Sequence, residues 1–219
     1  MTRKTLKLQK RFMKEFTDKT SILWDFDGVI LDSMEVREEG FRAVLASFPA
    51  SQIDKLLSFH RKNGGLSRYV KFEYFLEKII GGTKNEEQVQ QWAEEFSAIM
   101  RVSLKSKDRL IEEVVNFIKK NKKLYHMHIV SGSDGDELRF LCDELEISEY
   151  FESIHGSPTP KTELVRKLMD ERDYKPQETC LIGDSINDFE ASSSNNIQFF
   201  GYNNLTLKAE GFAYINSFK

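Results

Sequence analysis

Two carboxylates one residue apart, Asp25 and Asp27, close the apolar run Ser21-Ile22-Leu23-Trp24, and Gly28 follows at once. Carboxylates this close repel each other if both ionise, so either one takes a proton or a cation lies between them. Both states are useful. A carboxylate can attack a phosphoryl group and form an aspartyl-phosphate. A neighbour with a raised pKa can protonate the leaving group and then deprotonate water. An Asp-x-Asp pair can also do no more than cap the turn after a strand, so its meaning rests on what the chain supplies downstream.

Three later stretches supply matching groups. Ser131-Gly132-Ser133 follows the apolar Met127-His128-Ile129-Val130, and free N–H groups at the start of a helix there would favour a phosphate. Gly183-Asp184-Ser185-Ile186-Asn187-Asp188 sets two carboxylates four apart at a helix start, facing the same way. Lys161, after Ser157-Pro158-Thr159-Pro160, offers one compensating positive charge. A carboxylate that attacks a phosphate monoester brings two anions together. A hard cation such as Mg²⁺ and a lysine must neutralise that repulsion while backbone N–H groups hold the phosphoryl oxygens.

The elements that position these groups follow from periodicity. Short apolar runs bounded by turn residues read as buried strands of a parallel sheet, and ligands bind beyond the carboxyl ends of such strands. Gly28 lets the chain turn away sharply there. From about residue 35 to residue 105 the pattern is helical throughout. Phe41, Val44, Leu45 and Phe48 mark one helix, stopped by Pro49, and Ile53, Leu56 and Leu57 a second, broken by Asn63-Gly64-Gly65. Ser67 N-caps a third, carrying Val70, Tyr74, Phe75 and Ile79, and Val89, Trp92, Phe96, Ile99 and Met100 mark a fourth. Helices are then expected at 110–119, 137–145 and 161–172, with strands at 127–130, 150–155, 179–182, 197–202 and 212–215. This alternation predicts an α/β fold, a parallel sheet with helices on both faces. The expected core spans 1–33 and 106–219, and an inserted helical cap spans 34–105.

Bulk properties narrow the class. A chain of 219 residues makes one large domain or a core with an insert. Its formal net charge of −3 gives no global sign of nucleic-acid or anionic-membrane binding. No apolar run nears the ~20 residues of a membrane span, and the basic start lacks a signal-peptide core. Cys142 and Cys180 sit in apolar segments and read as reduced packing residues. A cytoplasmic protein is expected. Residues 3–19 carry seven lysines and arginines among Leu6, Leu8, Phe12 and Phe16, either a solvated lead-in helix or an anion-binding arm. His60, His126, His128 and His155 lack metal-ligand spacing and read as surface or core residues. Trp24 reads as sheet packing, the cap phenylalanines as bundle core, and Asp32 as a helix cap or a contact at the cap hinge.

Taken together, Asp25-Phe26-Asp27-Gly28-Val29, Ser131-Gly132, Lys161 and Gly183-Asp184-Ser185-Ile186-Asn187-Asp188 resemble the four motifs of the haloacid dehalogenase superfamily. The branch resembled is that of phosphoglycolate phosphatase and β-phosphoglucomutase, with an inserted helical cap. The resemblance covers nearly the whole chain and implies a three-layer Rossmann-like core. It implies Asp25 as nucleophile and Asp27 as general acid/base, with Ser131, Gly132 and Lys161 binding the phosphoryl group. Mg²⁺ would be held by Asp25, the backbone carbonyl of Asp27 and Asp184, with Asp188 either a ligand or positioning Lys161. The implied activity is a Mg²⁺-dependent phosphatase for a small phosphorylated metabolite, such as a sugar phosphate. A phosphomutase and a non-catalytic binding protein are the alternatives.

Departures from the pattern sharpen the expectation. Ser157 stands where many capped relatives place the lysine of the third motif. Asp27 argues against dehalogenase chemistry, whose enzymes lack that acid/base residue. Gly64-Gly65-Leu66-Ser67-Arg68 resembles a Gly-x-Ser-Arg stretch used near the substrate by β-phosphoglucomutase-like proteins, so Ser67 and Arg68 are candidate substrate residues. Arg68 either reaches a substrate anion or lies on the surface of the cap. Arg37 stands where mutase relatives carry a histidine.

Overall fold

The computed structural model describes residues 14–219. The reading of 3–19 as a basic helix or arm falls largely outside them. Of its described part, Lys14–Phe16 form one 3₁₀ turn. Phe16 is buried, and Lys19 is buried as well, its Nζ donating to the Gln177 carbonyl at 2.7 Å.

Five parallel strands form one sheet: β1 (Ser21–Trp24), β2 (His126–Asp134), β3 (Ser153–Ser157), β4 (Thr179–Gly183) and β5 (Gln198–Gly201). Their order is β3-β2-β1-β4-β5, so the first strand lies at the centre. The chain builds outward to β3 and then restarts on the other side of β1 with β4. Such a reversal opens a crevice beyond the carboxyl ends of the central strands. Side chains alternate across the sheet. Ile22 and Trp24 face one layer with Met127, Ile129 and Ile182, and Leu23 faces the other with Val130 and Leu181.

Helices α1 (Met34–Val44), α2 (Ala50–Lys62), α3 (Arg68–Tyr74) and α4 (Glu86–Ser103) intervene between β1 and β2. After them come α5 (Glu112–Asn121), α6 (Gly135–Glu144), α7 (Lys161–Arg172), α8 (Ile186–Ser194) and the short α9 (Leu205–Ala209). Phe117 of α5 and Leu138 and Leu141 of α6 pack on one face of the sheet, Leu164, Val165 and Leu168 of α7 on the other. The result is the three-layer α/β core with a helical cap that periodicity predicts. The cap core is aromatic: Phe41 lies 4.5 Å from Phe96 and 5.3 Å from Phe72 between ring centroids. Among the described residues no helix is long and apolar enough to cross a membrane. Cys142 and Cys180 are buried and free.

Several boundaries differ from expectation. The first cap helix ends at Val44, and Pro49 instead opens α2 as its N-cap, the position before a helix where its fixed φ is an asset. The strand expected at 150–155 starts at Ser153, after a 3₁₀ turn at Ser148–Tyr150. The segment 212–215 is not a strand. It makes one bridge, Tyr214 to Gly201, while Phe212 packs on Phe189 at 4.6 Å between centroids.

His128 is buried on β2, with Nδ1 2.7 Å from Ser153 Oγ and Nε2 2.9 Å from Tyr174 Oη. Burial pushes it down to about 4. The unfolded chain takes up a proton near pH ~6.5 that the folded chain refuses until about 4, so stability is lost as pH falls through that window. His128→Gln is expected to flatten this loss. Urea midpoints of both proteins at pH values spanning the window test it, and parallel pH slopes would refute it.

Candidate active site

The crevice beyond β1 and β4 collects the sequence-predicted residues. Asp25 continues β1, its N–H donating to the Ile182 carbonyl at 2.9 Å. The chain then turns at Gly28, whose φ is +77°, and a Cβ there would lie 2.1 Å from Asp184 Oδ2. Glycine is required by both the backbone and the close approach. Asp25, Asp184 and Asp188 bring carboxylate oxygens within 4.8 Å of one another.

Lys161, the first residue of α7, reaches this cluster in spite of its late position. Its Nζ lies 2.7 Å from Asp25 Oδ1 and also donates to Asp188 Oδ1. Ser157, in the place where relatives put the lysine, is buried with its Oγ unpartnered among the described residues. Both oxygens of Asp188 are engaged: Oδ1 holds Lys161, and Oδ2 accepts from Ser185 N at 3.0 Å and Ser185 Oγ at 2.6 Å. Asp188 thus positions the lysine and closes the capping box of α8. The Asp184 carboxylate accepts no hydrogen bond among the described residues.

Two buried carboxylates and the half-buried Asp184 around one lysine leave a net negative site. Burial and Asp188 push Asp25 up to about 7 against the pull of Lys161. Burial with Asp25 and Asp188 alongside drives Asp184 well above its ordinary value. All donors are hard oxygens, and the charge deficit suits a divalent cation such as Mg²⁺. The residues present fit that ion.

Asp27 contradicts the expectation of a raised pKa. Its Oδ1 accepts from Ser33 Oγ at 2.5 Å and Arg37 Nε at 3.0 Å, and its Oδ2 from Ser133 Oγ at 2.5 Å and Arg37 Nη2 at 3.1 Å. Burial opposes ionisation, but Arg37 and the two hydroxyls outweigh it and hold Asp27 down at about 2. Ser33, in the N-cap position of α1, makes no capping bond because its hydroxyl serves Asp27. The Asp32 side chain caps nothing among the described residues; its N–H donates to the Arg109 carbonyl at 2.8 Å, joining the two chain segments that lead into and out of the cap helices.

Ser131 and Gly132 line the cleft beside Asp25, but not at a helix start. Strand β2 continues to Asp134, whose side chain caps α6 by accepting from Asp136 N and Glu137 N. Two of the first-turn N–H groups are therefore spent. A bulge between Val130 and Asp134 makes the turn that the sequence suggested for a helix N-terminus. Ser131 Oγ accepts from Ser133 N at 3.1 Å.

The cap closes over this floor. A Cβ on Gly132 would meet the Gly65 carbonyl at 2.2 Å, and one on Gly65 would meet Ser185 Oγ at 2.8 Å. The Gly64-Gly65 loop thus lies against both the second and the fourth motif. The cleft retains a cavity of about 30 Å³, room for about two water molecules.

Ser67 N-caps α3, accepting from Val70 N at 3.4 Å, and lines an outer groove with Pro158 and Thr159 rather than the cleft beside Asp25. Arg68 lines the cleft and is buried, so the surface alternative fails. Its Nη1 donates to Glu137 Oε2 at 2.5 Å and Ser97 Oγ at 2.6 Å, and its guanidinium lies 4.7 Å from the Phe96 ring centroid. Glu137, fully buried on α6, also accepts from Arg37 Nη1 at 2.6 Å. Asp27, Arg37, Glu137 and Arg68 therefore form one chain of buried charges that ties α1 and α3 of the cap to the core.

Sequence reasoning assigns no site role to four residues found here. Arg37 stands out in the sequence only for the histidine it replaces. Glu137 sits next to Leu138 at the buried start of α6, and an acid on an apolar face was its one signal. Lys71, one helical turn after Arg68 and so on the same face, lines the cleft, as does His60.

Residues 22–202 match the family model described as haloacid dehalogenase-like hydrolase. No curated protein matches the chain. Among solved structures, a predicted phosphatase from Clostridium acetobutylicum is 17% identical with a TM-score of 0.72, covering 91% of this chain and 94% of that one. A mutant CbbY from Rhodobacter sphaeroides in complex with xylulose-(1,5)bisphosphate is 16% identical with a TM-score of 0.71, covering 91% and 95%. A β-phosphoglucomutase from Clostridium difficile is 16% identical with a TM-score of 0.70, covering 91% and 92%. Identities this low bear on the fold alone, and the likeness takes in phosphatases and phosphomutases without singling out either.

Proposed function

The chain belongs to the haloacid dehalogenase-like hydrolases, and from that premise we propose that it is a Mg²⁺-dependent phosphatase acting on a small phosphorylated metabolite. The observation that carries this reading is the Asp25, Asp184 and Asp188 cluster with Lys161 at its centre, beyond the carboxyl end of the central strand. In this reading the α/β core, 1–33 and 106–219, holds the chemistry and the cap, 34–105, controls access.

Asp25 Oδ2, the oxygen that Lys161 leaves free, attacks phosphorus. The bond from phosphorus to the leaving oxygen breaks and an aspartyl-phosphate forms on Asp25. Ser131, the Gly132 N–H and Lys161 hold the phosphoryl oxygens, and Asp188 keeps Lys161 in place. Asp25, the Asp27 carbonyl and Asp184, with Asp188 adjacent, would hold Mg²⁺, which when bound supplies charge neutralisation for the incoming phosphate. Asp27 as a carboxylate is in the form that takes a proton from water when the aspartyl-phosphate is hydrolysed. To donate a proton to the leaving group, it must first part from Arg37 and take up a proton from water. Since α1 carries Arg37 into the cap, opening and closing of the cap is the motion that can make and break that contact. An arginine bound to Asp27, where mutase relatives carry histidine, favours hydrolysis over return of the phosphoryl group.

Phosphate release from a broad panel of phosphomonoesters, with Mg²⁺ and with EDTA, tests the proposal. Release that EDTA abolishes and Mg²⁺ restores is the expected result. No turnover of any compound in either condition would overturn it, and isomerised product without phosphate release would establish a mutase instead.

A further inference from the structure

The cations around the cleft divide into two kinds. Lys161 is shared by Asp25 and Asp188, Arg37 by Asp27 and Glu137, and Arg68 by Glu137 and Ser97. Each has a carboxylate partner within the fold. Lys71 does not. It is 4% exposed, and its Nζ has one partner, the Gly64 carbonyl at 3.0 Å. No carboxylate of the described residues lies within ion-pair distance of it. Burial pushes Lys71 down to about 7, and its one backbone acceptor leaves the remaining donors of the amine unanswered, so an anion arriving in the cavity would both accept from it and favour its charged form.

A second group on the same cavity is also unanswered. His60 of α2 is 3% exposed, and neither ring nitrogen has a partner among the described residues. Its ring packs on Phe41 at 5.1 Å between centroids. Burial, with Lys71 nearby, holds the imidazole neutral, so it presents one N–H donor and one acceptor. Asp25, Ser131, His60 and Lys71 all line one cavity, with Phe41 and Phe96 as apolar wall. The core side of that cavity carries the phosphoryl-transfer groups, and the cap side carries Lys71, without a carboxylate partner, and His60, without any.

We propose that Lys71, assisted by His60, forms a subsite for a second anionic group on the leaving side of the substrate. This inference rests on the phosphatase reading and deepens it. The substrate class becomes short phosphate esters that bear a carboxylate or a second phosphate. Arg68, the cap residue singled out by motif, is then a positioning residue, because Glu137 already takes its charge. The Gly64 carbonyl that holds Lys71 belongs to the loop whose Gly65 lies against Gly132.

Three esters of matched length test this: propyl phosphate, phospholactate and propanediol bisphosphate. The two doubly anionic esters are expected to exceed propyl phosphate about 10- to 100-fold in kcat/KM, the range of a charge-assisted hydrogen bond. Lys71→Met is expected to remove that preference while leaving propyl phosphate turnover within about threefold. The variant removes an unpaired buried charge, so it should fold. Lys71→Gln, whose amide can still donate to Gly64, separates loss of charge from loss of the loop contact. A preference for phospholactate over the bisphosphate, or the reverse, identifies the anion. An equal fall for all three esters in Lys71→Met would place Lys71 on the transferring phosphoryl group and overturn the proposal. So would an unchanged preference. Calorimetric binding of phospholactate and propyl phosphate to Asp25→Asn, with and without Lys71→Met, reads the subsite without turnover. A charge preference there that depends on Lys71 would uphold the subsite even if the phosphatase reading failed. Its absence would overturn the subsite even if phosphate were released.

Discussion

Asp25→Asn is expected to lower phosphate release by about 10⁴-fold or more, the scale seen when a catalytic nucleophile is removed, while leaving the fold at least as stable. The activity loss follows because an amide oxygen is a poor nucleophile and the neighbouring carboxylates are otherwise placed. Asp184 and Asp188 are close, but Asp188 is bound to Lys161 and Ser185, and Asp184 lies against Gly28. The stability result has a separate cause. Asp25, Asp184 and Asp188 crowd around one lysine, and burial and Asp188 already raise Asp25 to about 7. A neutral amide of the same shape removes one repelling charge and still accepts from Lys161. Melting in EDTA should show an unchanged or raised midpoint. Acid-quenched single turnovers with labelled phosphate should show label on the wild-type protein and none on the variant. A fall in activity below tenfold would exclude Asp25 as nucleophile. A large fall with a collapsed melt would show that Asp25 is needed by the fold, contrary to the charge argument.

Glu137→Gln is expected to cost about 3–5 kcal/mol of stability, the penalty for breaking a buried ion pair on one side. For a chain of this length that amounts to a melting midpoint lower by on the order of 10 °C. Among the described residues Glu137 is the only carboxylate that Arg68 touches, and it takes the third donor of Arg37. An amide leaves both guanidiniums buried with part of their charge unmatched. Replacing Arg68 as well, by Met, should recover a substantial part of the loss, because the cost lies in the unpaired charge and not in the missing bond. Thermal melts of the two single variants and the double variant form the cycle. Additive losses would show that Glu137 and Arg68 do not act as a pair. Because this pair joins cap to core, Glu137→Gln should also raise KM more than it lowers kcat.

Much of this site is written locally along the chain. The strand before Asp25, the turn at Gly28, the N-cap at Ser67 and the start of α7 at Lys161 each follow from a few neighbouring residues. An apolar run, a glycine or a capping hydroxyl acts through its own backbone, so spacing alone reveals it. The alternation of such signals was enough to set the fold class and the order of the layers, and to bring Asp25, Ser131, Lys161, Asp184 and Asp188 to one sheet edge. Local signals misled at the second motif, where β2 runs past Ser131 because a bulge, not a helix start, makes the turn, and tertiary contacts set the helix start after β1, where Ser33 leaves α1 uncapped to bind Asp27.

Only the tertiary structure decided which charges meet. Glu137 lies 100 positions from Arg37 and 69 from Arg68, and nothing in the intervening chain marks them as partners. The reason is that a buried ion's energy depends on what remains beside it once water has been excluded, and that is settled by strand order and cap closure. Asp27 is held ionised, Arg68 is spent, and Lys71 and His60 are left facing the cavity for the same reason. Each side chain's own chemistry was legible in the sequence, but its state depends on neighbours that folding brings from elsewhere in the chain.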